Sequence, residues 1–360
     1  MTLVKFKKII LIFSILVISI SYASSEEVQE LAPEIILTEL ELIKTSNPSL
    51  AKEYLKHLES IQDELNKNQK ELFQLYGAHS LAIQGYYSKA ENLLIELSQS
   101  SDDLYIISRS YSMLSNIFAY EGNFQEAFIY SAKSVDNLEN LSDKNLHKFA
   151  ILQNAASLFK LAKLDNKAME YSRQLLRIAE ASGDPLRLCA ANYEMASWEL
   201  EHNSTVMAQS RIENVLKHCN EADDVLLKIL TAEIQAQLYL LNNKPEDSVK
   251  VLLSWQGEVD EIGYRKLKIL YETRLSESYA ELSEFDEALK YGLSAYKEAK
   301  GLNDIGMLIE TCRILASIYS EMDDLKESVK YYQEYIDYEK QLRFITNKRK
   351  MAYYMVSMRK

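Results

Sequence analysis

Helix breakers are scarce in this chain. Nine glycines and four prolines stand among 360 residues, which leaves little material for turn-rich β architecture and fits a helical array. Histidine is rare too. The five present, His57, His79, His147, His202 and His218, form no HExxH and no paired helical metal spacing. CxxC, GxSxG, Walker A and strand-linked GxGxxG patterns are all missing, so neither catalysis nor a metal or other cofactor is expected. A basic stripe with interleaved aromatics is missing as well. The formal net charge is −12, which argues against the cationic footprint that nucleic acid requires. No apolar stretch reaches the 18 or so residues of a membrane-spanning helix.

What the chain has is a period. Small residues recur at Ala90, Ala127, Ala168, Ala208, Ser248, Ala288 and Ser328, spaced 37, 41, 40, 40, 40 and 40 apart. A second series runs 12 residues ahead: Ala78, Ser115, Ala156, Ala196, Ala236, Ser276 and Ala316. Two phase-locked series indicate one repeated unit, stacked. Around Ala288, apolar residues at Leu267, Leu270, Tyr271, Leu275 and Tyr279 follow helical spacing, and Ala288, Leu289, Tyr291, Leu293 and Tyr296 give a second face after a short turn. The unit is a helix hairpin, and its small residues let helices cross closely. An aromatic stands three residues after the first small position in five units: Phe118, Phe159, Tyr239, Tyr279 and Tyr319. Leu81 takes the place in the first unit. Glu199, beside Trp198, departs from it in the fourth, where distortion is expected. Acidic residues precede successive units at Asp102, Asp143, Asp184, Asp223 and Asp304, where they are expected to cap the next helix.

The turns into the second helix read GYYSKA ending at Ala90, GNFQEA at Ala127, LDNKA at Ala168 and EFDEA at Ala288. With the small and aromatic positions, they resemble the tetratricopeptide repeat over residues 69–340, in a variant lengthened to about 40 residues per unit. The fourth and fifth turns, STVMAQ and KPEDSV, fit least well. The resemblance implies an all-α, right-handed superhelical solenoid of antiparallel helix hairpins, closed by a long C-terminal capping helix.

The two ends differ from the repeats. Residues 1–23 read as a signal peptide: Lys5, Lys7 and Lys8, an apolar run from Ile9 to Ile20, then Ser21-Tyr22-Ala23. No cysteine lies near that cleavage site, so a lipoprotein is not expected. Removing three lysines and no acid takes the charge from −12 to −15. The expected location is periplasmic or secreted; the alternative is an inner-membrane anchor formed by residues 9–23. Residues 24–68 should hold a degenerate leading hairpin, with Ala51 in phase 39 residues before Ala90. Residues 341–360 should extend the last helix and are basic (Arg343, Lys348, Arg349, Lys350, Arg359, Lys360). That helix either caps the open end of the solenoid or docks a partner or acidic lipid. The long helix after the last repeat is similar to the exported sensor half of bacterial proteins in which such repeats precede a GGDEF or histidine-kinase output domain. No output domain follows here, so signalling would pass through another, membrane-bound protein.

Tetratricopeptide arrays bind extended peptides or helices on a concave face lined by the first helix of each unit. Carried over by register, that resemblance nominates Arg109, Ser112, Asn116 and Tyr120; Gln153, Ser157 and Lys160; and Tyr193 and Ser197, with Glu201. Later units contribute Glu233, Gln237, Glu277, Glu281, Glu310, Arg313 and Glu321. The first half of the groove is then polar and mildly basic, the second half acidic. Asn and Gln can pair with ligand amides, and Arg or Lys with a carboxylate. His79 also falls on this face, as a polar contact. The functional expectation is an exported, non-catalytic scaffold for a peptide or protein segment, the sensing component of a signalling system; the alternative is an envelope assembly factor acting through its convex face and basic C-terminal helix. Finally, Cys189 lies near the start of the fourth unit's first helix and Cys219 near the end of its second. Antiparallel packing sets these ends side by side, and an oxidising compartment would join them. The alternative is two buried thiols that never meet. Cys312 would stay unpaired.

Overall fold

The structure, a computed structural model, describes residues 31–358 apart from 45–46, 142–144, 203–204 and 223. Residues 1–23, read as a signal peptide, and Asp143, Asp223, Arg359 and Lys360 lie outside the described residues. Among the described residues there are 17 α-helices and no β-strand. A leading hairpin pairs α1 (Pro33–Ile43) with α2 (Pro48–Ser60) and buries Ala51. Seven hairpins follow: α3 (Lys67–Ile83) with α4 (Tyr87–Ser100), α5 (Leu104–Tyr120) with α6 (Phe124–Asp136), α7 (Asn145–Leu161) with α8 (Asp165–Ser182), and α9 (Pro185–Glu201) with α10 (Thr205–Ala222). The fifth pairs α11 (Val225–Leu241) with the broken helix α12 (Pro245–Leu253) and α13 (Gln256–Ile262). The last two pair α14 (Arg265–Glu281) with α15 (Phe285–Leu302) and α16 (Ile305–Glu321) with α17 (Leu325–Ser357). The fold is an all-α solenoid.

Each of the seven first helices is 17 residues long, about 25 Å, and local chemistry fixes both ends. At the start, Asp184 accepts from the Arg187 amide and Asp304 from the Met307 amide. Two expected caps shift by one residue. Asp103, not Asp102, caps α5, and Asp224, not Asp223, caps α11. Asp102 instead pairs with Lys67 at 2.6 Å. At the end, each described turn holds a left-handed residue five before the next small position: Gly85, Gly122, Lys163, Asn243, Ser283 and Asp323. The amide after it reaches back to the carbonyl three past the first small residue. Asn123 donates to Phe118, Leu164 to Phe159 and Asp324 to Tyr319, at 2.8, 3.0 and 2.9 Å. This six-to-one bond closes the helix and sets the hairpin angle.

All fourteen small residues are buried. At two of the serines the hydroxyl finds a carbonyl across the crossing, Ser276 donating to Ala288 and Ser328 to Ala316 at 2.7 and 2.8 Å, while Ser248 pairs with the Ser278 hydroxyl at 2.7 Å. The following aromatic packs on the residue three after the second small position. The pairs are Phe118–Tyr130, Phe159–Tyr171, Tyr279–Tyr291 and Tyr319–Tyr331, with centroids 5.3–5.8 Å apart. In the fourth hairpin the same two positions hold Glu199 and Arg211. Arg211 Nε lies 2.9 and 3.0 Å from the two Glu199 carboxylate oxygens. A buried ion pair thus replaces the ring stack without disturbing the hairpin. The fifth second helix breaks at Trp255, whose amide bonds to Leu252, three residues back. Leu252 and Val259, one on each fragment, both remain buried.

The sulfurs of Cys189 and Cys219 are bonded, with Cα atoms 4.8 Å apart. Cys312 is a buried free thiol. Residues 341–357 continue α17 without interruption from the last repeat. The far end of α17 packs on α6, so the chain's end returns to its second hairpin.

Candidate ligand groove

Successive first helices pack on one another: α3 on α5, α5 on α7, α9 on α11, α11 on α14 and α14 on α16. Second helices pack mainly on first helices, so the first helices form the inner row. Positions along this row fall into three depths.

Three residues before the small position, side chains are wedged into the seam between neighbouring helices. Ser112 is buried and accepts from Asn154 at 2.8 Å, and Glu233 is buried against Arg274, whose Nε and Nη2 both lie 3.0 Å away. Tyr193, half-buried, has its hydroxyl pushed well up by burial and by the carboxylates of Glu233, Glu194 and Glu201. Gln153 bonds Glu194, whose carboxyl is pushed up by burial.

Six residues before the small position, Arg109 is deeper still. Only 4% of it is exposed, so it is not available to an extended ligand. It belongs to a closed polar cluster drawn from α1, α3 and α5: Glu41, Lys44, Tyr76, His79, Tyr105 and Arg109. Glu41 Oε1 lies 2.9 Å from Lys44 Nζ and 3.9 Å from Arg109 Nη2. Burial would raise the Glu41 pKa, but Arg109 and Lys44 outweigh it and hold the carboxyl below its ordinary range. Burial and the same two cations push His79 down to about 3, so it is neutral. The register identified Arg109 and His79 but not Glu41 or Lys44, which lie on the degenerate hairpin. No repeat pattern reaches that far.

One residue after the small position, the row opens. Asn116 and Ser157 are exposed, and Ser197, Gln237 and Glu277 are half-buried. Next to them, Lys160 reaches Glu201 on the following repeat at 2.8 Å. Arg313 contacts Glu277 at 3.0 Å and Glu310 at 3.2 Å, and Arg274 also pairs with Glu277. Burial opposes ionisation of Glu277, but Arg274 and Arg313 outweigh it and lower its pKa. Tyr120, 68% exposed, sits at the rim with its ring 5.3 Å from that of Tyr87. The structure therefore brings Asn116, Ser157, Lys160 and Ser197 onto one accessible surface and sets Arg109 and Ser112 beneath it. Of the cations expected in the first half of the groove, Arg109 is buried and Lys160, at the surface, is paired with Glu201. The ion pairs of the second half leave it with an excess of carboxylates: Glu233, Glu277 and Glu310 stand against Arg274 and Arg313. Among the described residues, no group of three or more His, Cys, Asp or Glu side chains is placed to hold a metal.

No protein-family model matches the sequence, and no curated protein is detectably similar to it. Solved structures share its architecture. A Rap protein complexed with competence and sporulation factor superposes with a TM-score of 0.61 at 14% identity, over 89% of this chain and 100% of that one. The apo form of RapI gives 0.60 at 10% identity, over 76% and 99%. A signal-transduction ATPase with numerous domains and a tetratricopeptide-repeat sensor, from Pyrococcus horikoshii, gives 0.62 at 17% identity, over 90% of this chain and 50% of that one. These likenesses establish the fold: the chain is a tetratricopeptide-like helical repeat protein.

Proposed function

We propose that this chain is an exported, non-catalytic scaffold that captures a peptide or protein segment along its inner row of helices, as the sensing component of a bacterial signalling system. One observation carries the reading. Four consecutive first helices, from α5 to α11, present a hydrogen-bonding side chain at the same register: Asn116, Ser157, Ser197 and Gln237. Amide and hydroxyl groups repeating along a groove match the repeating donors and acceptors of an extended backbone. Seam packing below holds them on rigid helices. The Rap protein of similar fold was solved in complex with competence and sporulation factor, which agrees with ligand binding by such an array. Export rests on residues 1–23, and fractionation of cells expressing the full chain tests it separately.

The binding experiment is a selection of random peptides on the immobilised chain. The comparison is a variant carrying Asn116→Ala, Ser157→Trp and Gln237→Ala. The expected outcome is enrichment by the wild type that the variant loses while its melting midpoint holds. Equal enrichment by both would move the site off the inner row.

A second reading has its own support. The outer side of the α17 end exposes Phe344, Met351, Tyr354, Met355 and Met358, beside Arg343 and Lys348. Such a basic, methionine-rich face suits an envelope-assembly role. Co-sedimentation with anionic vesicles measures it.

A further inference from the structure

Helix α17 spans 33 residues, about 50 Å, yet it is held only near its ends. Its beginning is an ordinary second helix: Ser328 and Tyr331 are buried against α16, Tyr335 and Tyr338 pack partly buried on the same repeats, and Glu334 accepts from the Tyr296 hydroxyl. From Tyr332 to Met351 no residue is buried. Then, two turns from the end, contacts resume on elements some 200 residues earlier in sequence. Ala352 is 6% exposed. The Tyr353 ring lies 5.5 Å from Phe128 and, edge-on, 5.3 Å from Phe159. Arg349 sits 5.2 Å over Phe124 and donates to the Leu161 carbonyl at 3.1 Å. Gln125 approaches the Met355 sulfur at 3.0 Å. A second point of return accompanies the first: Lys266, at the start of α14, lies within electrostatic reach of Tyr87 on α4 and Tyr120 on α5. The array has wound far enough for its late repeats to meet its early ones.

We propose that the last two turns of α17 form a reversible clasp, which ties the last repeat to the second and third hairpins and sets how far the superhelix opens. Three features make the contact separable. The docked surface is short, with one buried residue, Ala352, and one ring between two others. Beyond Tyr338, which still packs on the last two repeats, residues 339–348 join none of the packed apolar clusters, so releasing the end exposes little along that stretch. The receiving side is preformed, because Phe128 and Phe159 already pack together at 5.4 Å within the core of their hairpins. Local opening of such a lightly packed terminal element costs far less than global unfolding. Once α17 lifts, the faces of Phe124, Phe128 and Phe159 are offered to any amphipathic helix that supplies a small residue followed by an aromatic. Loss of this tie frees the early and late repeats to separate. The clasp does not depend on what the groove binds.

The test uses the purified chain without ligand, in three forms. Tyr353→Asp places a charge between the two phenylalanines. Gln125→Cys with Met355→Cys, joined by a short bis-maleimide, locks the clasp; Cys312 is buried and Cys189 and Cys219 are bonded, so the new thiols react alone. Small-angle scattering and peptide-level hydrogen exchange are read on all three. Expected for Tyr353→Asp are a larger radius of gyration and at least ~10-fold faster exchange in α6 and residues 341–357, with α16 unchanged. The locked form should exchange more slowly than wild type in 341–357. If Tyr353→Asp leaves both the scattering and α6 exchange unchanged, the contact does not hold the array. If locking leaves exchange in 341–357 unaltered, no open state exists. Should Tyr353→Asp lose its helical signal altogether, the locked form against wild type decides the question.

Discussion

At the level of single residues, the repeat is specified by positions rather than identities. The turn between the two helices of a unit needs one left-handed residue. Gly85 and Gly122 supply it without strain, whereas Lys163, Asn243, Ser283 and Asp323 adopt it at φ of 52–61°. A side chain there meets its own backbone, which costs about 1 kcal/mol or somewhat more. Lys163 is exposed, so Lys163→Gly should stabilise the chain by about 1 kcal/mol, less the extra freedom glycine adds to the unfolded state. A lower thermal midpoint for this variant would contradict the assignment of the turn. The fourth unit makes the same point about positions. Glu199 breaks the aromatic pattern of the sequence, and distortion was the natural expectation. Its partner, Arg211, stands where four other units keep Tyr130, Tyr171, Tyr291 and Tyr331. Pairing the two departures was possible from the 12-residue offset alone, but a carboxylate gives no sign of its burial. Removing one member of a buried pair strands the other, so Glu199→Ala should cost about 3 kcal/mol. Restoring the ring stack with Glu199→Tyr and Arg211→Tyr together should recover most of that in chemical denaturation.

At the level of elements, what repeats was legible and what does not repeat was not. The small-residue series placed every first helix, because burial at a close crossing leaves no choice of size. The caps were legible only to within a residue, since Asp102-Asp103 offers two carboxylates and backbone geometry selects the second. The break of the fifth second helix at Trp255 carries no strong breaker. The groove fared similarly. Register identified its row, but depth within the row depends on how far neighbouring helices separate, so Arg109 and Ser112 fell in the seam. Gly292 shows the tolerance at a crossing. A Cβ there would meet Ser276 Oγ at 2.6 Å and Leu315 at 3.0 Å. Gly292→Ala should therefore destabilise by about 1–3 kcal/mol despite its gain in helix propensity, with Ser276→Ala relieving part of the loss. The disulfide closes the hairpin in which an ion pair replaces the ring stack. For a sequence separation of 30 the chain-entropy model gives roughly 3.5 kcal/mol. Cys189→Ala with Cys219→Ala should lower the denaturation midpoint accordingly, and an unchanged midpoint would show that the bridge constrains little.

At the level of the whole molecule, a solenoid has no single core, so its ends answer to local chemistry. The described residues bury three separable charges near the beginning, Glu41, Lys44 and Arg109, around a neutral His79. The sign of the pH response follows. His79 titrates near 3 in the fold against about 6.5 when unfolded. A depressed pKa contributes stability that is present above 6.5 and drains away as pH falls toward 3. The Glu41 carboxyl, also depressed, acts in the same direction but only below its ordinary range near 4.5. Between pH 6.5 and 4.5 Glu41 does not yet contribute, so His79 leads the loss in this cluster, with Lys44 the other group whose pKa burial lowers. Tyr76 and Tyr105, which complete its surroundings, are pushed upward by burial and do not titrate in that window. Acid should loosen α1 to α5 first, while the second half, with Arg274 and Arg313 held between glutamates, stays folded. That gives a graded transition rather than a two-state one. Hydrogen exchange at pH 7 and pH 5 should show protection falling in the first two hairpins and holding in α14 to α16, and His79→Gln should flatten the difference. Equal loss along the chain, or a response unaltered by His79→Gln, would place the acid sensitivity outside this cluster.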